Sequence, residues 1–497
     1  MDASKETMDK LIHSVVAATQ ELYASITEDA SVMDNCESKT PSLLRDVAEL
    51  RMDVKFILVD LQTIMRSCFD TDKAYEKRYH LKNLYAGMLE GYKLLYGFGN
   101  MRKRTVWARI GDDLQTEIQT NQALFGDLKG SYDEITKRLL TIEATRTDQD
   151  DRNLTYHYDD DLLLVYRLTL KTNSEEIAAE KYMVFMKILG SMLNLGNQIE
   201  IQEAINGKAL PVGGGSHDDV ALMIVQKVAE SMSKHPQLEE VLSTAVENGA
   251  KQLDSYADYK KGVLNIEDYI ARNIQVKMEI PEFDIIKQML DVQMLVSFMM
   301  ADMATILRSF LGAGSKVEYP LSLRRLTISR VSTLNHLISY RKDVSDSMWC
   351  RIISVIPTDN KKLQDEAEKI LLALKSLRKP GDCDKRALYV HLIDNHKYHS
   401  NVPDIVNSLE DVTILSELQS SQEVVKMCGR ISRFIANLMT ALSAQARKAR
   451  IESSRKLKEQ IDGIRNLTNH PNCPDVFRDS MRQQMDDLEK LLDFDNK

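Results

Sequence analysis

Two arginine–histidine pairs stand out for their residue types and spacing. One is Arg152-Asn153-Leu154-Thr155-Tyr156-His157, the other Arg386-Ala387-Leu388-Tyr389-Val390-His391. Histidine follows arginine by the same interval in both, Leu154 and Leu388 coincide, and Asp160 and Asp394 each stand three residues beyond the histidine. An imidazole titrating near neutrality can accept or donate a proton. A guanidinium stays cationic and offers a planar fork to developing negative charge. Two such pairs brought together would supply an acid, a base and two anion clamps. A third match, Arg465 to His470, lies near the C-terminus, outside the arrangement described next, and reads as coincidence.

The elements that must position these pairs appear twice. Trp107-Ala108-Arg109-Ile110 recurs 242 residues later as Trp349-Cys350-Arg351-Ile352, and these are the only tryptophans. Asp60-Leu61-Gln62-Thr63-Ile64-Met65-Arg66-Ser67 recurs at the same offset as Asp302-Met303-Ala304-Thr305-Ile306-Leu307-Arg308-Ser309. The chain reads as a tandem duplication. Ile57, Leu58, Leu61, Ile64, Met65 and Cys68 fall on one face of a helix, and all six stay apolar in the second copy. Asp60, Arg66, Asp302 and Arg308 lie off that face, where interhelical ion pairs are expected. Both tryptophans are expected in the core.

No proline occurs between Pro41 and Pro211, which favours long helices. Apolar spacing predicts helices over Leu84–Tyr96, Leu114–Ile142, Ser174–Ile199, Asp218–Ser233, Leu238–Ala250, Leu321–Tyr340, Lys361–Leu377 and Ser421–Ala446. No alternating strand pattern is present, and Pro211-Val212-Gly213-Gly214-Gly215 reads as a linker. The expected fold is all-α, with two duplicated helical-bundle domains plus connecting and C-terminal helices. The expected divisions are an N-terminal helical segment (1–44), bundle 1 (45–208), a linker with connecting helices (209–284), bundle 2 (285–447) and a charged C-terminal segment (448–497).

With these motifs between long helices, the chain resembles the HEPN superfamily, whose signature is Arg-(Asn/Asp/His)-x3-His. The first copy carries the full signature; the second has Ala387 at the polar position. The resemblance covers roughly 45–205 and 285–447 and implies a metal-independent endoribonuclease without cofactor. Arg152, His157, Arg386 and His391 would form one composite site that cleaves RNA by 2′-hydroxyl transesterification and leaves a 2′,3′-cyclic phosphate. Asn153, Arg378 and Lys385 would contact the RNA. The resemblance also implies a role in antiviral defence or a toxin system, with a homodimer mate or a regulatory protein as further partners.

Other features pull the opposite way. The 497 residues carry a formal charge of −9, so no global basic footprint for nucleic acid exists. Arg152 sits among Asp148, Asp150, Asp151, Asp159, Asp160 and Asp161, which suits a structural salt-bridge cluster as well as a site. Arg324, Arg325, Arg330 and Arg341 read as a solvated helix face, with RNA-backbone contact the alternative. A non-catalytic helical scaffold therefore stands beside the nuclease. His391, Asp394, His396 and His399 lack the cysteines or paired carboxylates of a metal site, so no metal is expected. Six scattered cysteines, no bilayer-length apolar run and no signal peptide point to a cytoplasmic protein away from membranes.

Overall fold

The computed structural model describes residues 2–36, 42–142, 161–171, 175–211, 220–235, 237–273, 281–339, 347–394, 399–409, 411–469 and 485. Among these residues the only β pairing is an isolated bridge between Ile393 and Ser400, so the all-α expectation holds. The described helices are α1 (Asp2–Asp34), α2 (Ser42–Phe69), α3 (Ala74–Leu95), α4 (Val106–Thr120), α5 (Gln122–Thr141), α6 (Leu162–Lys171), α7 (Glu175–Ile205) and α8 (Val220–Ser233). They continue as α9 (Leu238–Asn273), α10 (Pro281–Leu311), α11 (Glu318–Ile338), α12 (Met348–Ser354), α13 (Lys361–Leu377), α14 (Asp382–Val390), α15 (Val402–Leu409) and α16 (Ser416–Thr468).

Helix boundaries follow local chemistry. Thr105 caps α4 by accepting the Ala108 amide on its hydroxyl. The expected single helix from Leu114 to Ile142 is instead broken at Asn121, whose φ of −149° and ψ of 78° leave the helical region. Asparagine is a poor helix former, so a break there costs little. Pro281 opens α10, where its missing N–H costs nothing. Gly381, at φ +80°, turns the chain into α14. The expected helix Ser421–Ala446 is longer than its apolar pattern suggested and forms part of the continuous α16.

The chain forms two compact units, residues 1–354 with 370–429, and residues 355–369 with 430–497. Thus most of both expected bundles falls within the first unit. Its centre is built on α2 and α10. Along α2, Ile57, Leu58, Leu61, Ile64, Met65 and Cys68 are all buried, as the spacing required. Along α10, Met299, Met303, Ile306 and Phe310 are buried, while Met300 and Leu307 are half-buried. Helices α1, α3, α4 and α7 pack around α2, and α9 and α11 pack on α10. Asp29 of α1 holds both Arg51 and Lys55 of α2, at 2.6 and 2.5 Å. Gly91 lets α3 approach α2 so closely that a Cβ would stand 3.0 Å from Ile57.

The segment Phe283–Leu311 is long and apolar enough to span a bilayer, contrary to the expectation that no such run exists. In this fold 72% of its most apolar window is buried among the neighbouring helices. Both tryptophans are core residues. Trp107 stacks on Tyr132 with ring centroids 4.5 Å apart and donates its indole N–H to Thr136, and Trp349 is wholly buried. In the second unit, Arg430 binds Glu366 at 2.8 Å.

Candidate functional site

The Arg386/His391 pair lies on and just beyond α14. Arg386 is only 6% exposed, and its Nε donates to the Ser332 hydroxyl of α11 at 2.8 Å. His391 is the residue that ends α14, and its backbone N–H still bonds Ala387. Its ring is half-buried, with Nδ1 3.8 Å from Oε1 of Glu90, a buried carboxylate of α3. The other Glu90 oxygen accepts the Leu392 amide at 3.4 Å.

The loop after His391 is pinned from several sides. Asn401 donates its side-chain amide to the His391 carbonyl at 2.8 Å, and Ser400 donates to Asp53 of α2 at 2.6 Å. Burial, with Glu49 adding to it, pushes the Asp53 carboxyl well above the ordinary range.

The other expected residues are placed unevenly. Arg378 donates to the Ser339 carbonyl at 3.0 Å and to the Cys383 sulfur at 3.1 Å. Lys385 faces Glu417 at 3.5 Å and lies over the Tyr389 ring. Arg152, Asn153 and His157 lie outside the described residues, as do Arg341, His396 and His470. Among the described residues no cluster of metal ligands occurs.

The basic run on α11 is not the solvated face expected from its sequence. Arg324, Arg325 and Arg330 are all buried. Asp60 of α2 accepts from Arg325 at 2.8 Å and from Arg324 at 3.3 Å. Burial pushes the Asp60 carboxyl up, but the two guanidiniums overcome that and hold it below its usual value. Arg330 has no exposed surface; it binds both oxygens of Asp382, at 2.8 and 2.9 Å, and Glu417 at 3.0 Å. A guanidinium buried against two carboxylates is closed off from an RNA backbone.

Lys82 of α3 is also buried and stands 3.7 Å from Asp302. Asp302 in turn accepts from the Tyr75 hydroxyl at 2.7 Å. The pairs Asp60–Arg324 and Lys82–Asp302 map onto each other by the 242-residue offset, with the partners exchanged. The same exchange relates Arg66–Glu318 to Glu76–Arg308. In all four contacts, α2 or α3 meets α10 or α11. Interhelical pairing of Asp60, Arg66, Asp302 and Arg308 was expected; the glutamates and Lys82 that complete it were not singled out. Their sequence signal was present, because Glu76 and Glu318 stand at the same offset.

A cleft of about 360 Å³ opens beside the Arg66 and Arg308 pairs and is also lined by Ser67, Ser309, His80 and Glu239. A much smaller cavity, about 40 Å³, adjoins Asp60, Lys82, Asp302 and Arg324. No family model, curated protein or solved structure matches this chain.

Proposed function

We propose that this chain is a non-catalytic helical scaffold, built from two copies of one bundle that pair with each other as the subunits of a two-fold dimer would. The observation that carries this reading is the exchange of partners in the pairs Arg66–Glu318 and Glu76–Arg308. A two-fold interface is self-complementary: if residue i of one subunit meets j of the other, then j meets i. An intramolecular pair of copies inherits that rule. The helix order supports it too, since α2, α3 and α4 are followed 242 residues later by α10, α11 and α12. Because this face is occupied within one chain, the protein is expected to sediment as a monomer. A dimer dissociated by substitutions at Arg66 and Glu318 would sink the self-paired arrangement.

The second reading is the HEPN-type endoribonuclease. What favours it is His391, which lies against Glu90, a residue of the other proposed copy. At 3.8 Å the two groups are near enough to attract but too far apart to hydrogen-bond. What weighs on the scaffold side is Arg386, buried and bonded to Ser332, together with the enclosed arginines of α11. The deciding experiment is incubation of the full chain with a mixed RNA pool in EDTA, comparing wild type with His391→Ala and His157→Ala. The scaffold reading expects no cyclic-phosphate ends that depend on either histidine. Cleavage abolished by His391→Ala would establish the nuclease instead.

A further inference from the structure

We propose that the cleft between Arg66 and Arg308 binds a small oxyanion of the phosphate class, with Arg308 as its principal ligand. Arg308 divides its guanidinium between two carboxylates of different character. Its Nη1 bonds Glu76, which is buried. Its Nε and Nη2 edge is held by Glu239, at 2.8 and 2.7 Å, and the Glu239 side chain is 58% exposed. Both N–H groups converge on the one oxygen Oε1 of Glu239, and the same edge can take two oxygens of a phosphate. Glu239 thus occupies the place an anionic ligand would take. An exposed carboxylate of this kind is held only weakly against solvent.

The surroundings suit the exchange. Glu239 lies in the first turn of α9, so an anion replacing it would meet the positive end of a long helix. Arg66 lines the same cleft; its buried partner is Glu318, and its more exposed partner Asp70 lies at 2.5 Å. The Nε of Arg66 has no hydrogen-bond acceptor among the described residues. Ser67 and Ser309 add hydroxyls, and His80 lies 3.4 Å from the Ser309 oxygen. Burial, then Arg325, Arg66 and Arg308, push the His80 imidazole down to about 3, so it is neutral at physiological pH. Only Leu238 and Leu311 are large apolar lining residues, so a polar ligand fits better than a hydrophobic one.

The proposal rests on these contacts alone and holds whether or not the two segments are copies. Its test is calorimetric titration of the full chain with inorganic phosphate, adenosine 5′-monophosphate and adenosine. Wild type is expected to bind phosphate weakly. Glu239→Gln removes the competing charge and should tighten binding about tenfold. Arg308→Lys keeps a cation but loses the paired donors, and should weaken binding about tenfold. Equal affinity for phosphate and the nucleotide identifies free phosphate as the ligand; tighter nucleotide binding identifies a phosphorylated nucleoside. The proposal is overturned if Glu239→Gln binds neither at millimolar concentration, if adenosine alone binds as well, or if Arg308→Lys changes nothing. Glu239 is half exposed, so its substitution leaves the fold intact and keeps that arm decisive.

Discussion

Arg66 makes its buried ion pair with Glu318, a residue of α11 far along the chain, while Arg308, 242 residues after Arg66, pairs with Glu76 of α3. Each arginine therefore reaches a glutamate beside the other arginine's helix. The central pairs Asp60–Arg324 and Lys82–Asp302 repeat the arrangement. Chemical differences between these related contacts decide how much each contributes to stability.

Asp60→Ala should be more damaging than Asp302→Ala. Removing Asp60 leaves Arg324 and Arg325 buried without that carboxylate, and arginine cannot shed its proton. The expected loss is about 3–5 kcal/mol. Removing Asp302 leaves Lys82, which already stands off at 3.7 Å and so has a weaker ion pair to lose. The expected loss there is about 1–3 kcal/mol. Urea denaturation of both variants checks the order, and equal losses would contradict it.

Arg330→Met should cost about 3–5 kcal/mol near neutral pH, because Asp382 and Glu417 lose their buried cation and Glu417 keeps only Lys385, at 3.5 Å. The cost should also depend on pH. In the wild type, burial pushes Asp382 up, but hydrogen bonding and attraction from Arg330 hold it below its ordinary value. That stabilisation is full above the unfolded carboxylate value of about 4 and is lost as pH falls through the lower folded value. In the variant the buried carboxylates, having lost Arg330, gain by taking up protons. The gap between the two proteins should therefore narrow from pH 7 to pH 4, as read by urea midpoints.

These ion pairs also mark where the sequence was legible. The spacing of Ile57, Leu61, Ile64 and Cys68 placed α2 and its buried face correctly, because helical periodicity is a local property. Asp60 and Arg66 stood off that face and did form interhelical pairs. Arg324, Arg325 and Arg330 misled, since a basic run on one helix normally marks a solvated face. Their counter-charges Asp60, Asp382 and Glu417 lie 264, 52 and 87 residues away, and nothing local announces such a contact. The Arg386/His391 motif was visible as spacing, but its burial against Ser332 depends on how α14 packs on α11.

Gly111→Ala should loosen the packing around Trp107. The Tyr132 hydroxyl donates to the Trp107 carbonyl at 3.0 Å, and a Cβ on Gly111 would stand only 2.4 Å from that hydroxyl. Tyr132 must then leave its place on the indole or α5 must shift away from α4. Overpacking of this kind costs about 1–3 kcal/mol. The variant should also show altered tryptophan fluorescence, whereas Gly130→Ala, where nothing lies within 4 Å of the new Cβ, should leave the spectrum unchanged.

His80 should impose a measurable pH dependence on stability. Its imidazole is pushed down to about 3 in the fold, first by burial and then by Arg325, Arg66 and Arg308. The unfolded value is about 6.5, so between these limits the unfolded chain holds a proton that the folded chain refuses. Stability from this residue is therefore complete above pH 6.5 and declines as pH falls, by at most about 1.4 kcal/mol per unit. Asp46 acts with the opposite sign. Burial raises its carboxyl to about 6, against Arg109, so the folded chain binds the extra proton between 3.8 and that value. The two slopes oppose each other in the wild type, and the His80 contribution must be read by difference. From pH 6 to pH 5, wild type should lose about 1 kcal/mol more than His80→Gln in urea denaturation. Parallel curves for the two proteins would mean that His80 titrates as an ordinary histidine, and that the arginines around the cleft do not set its charge.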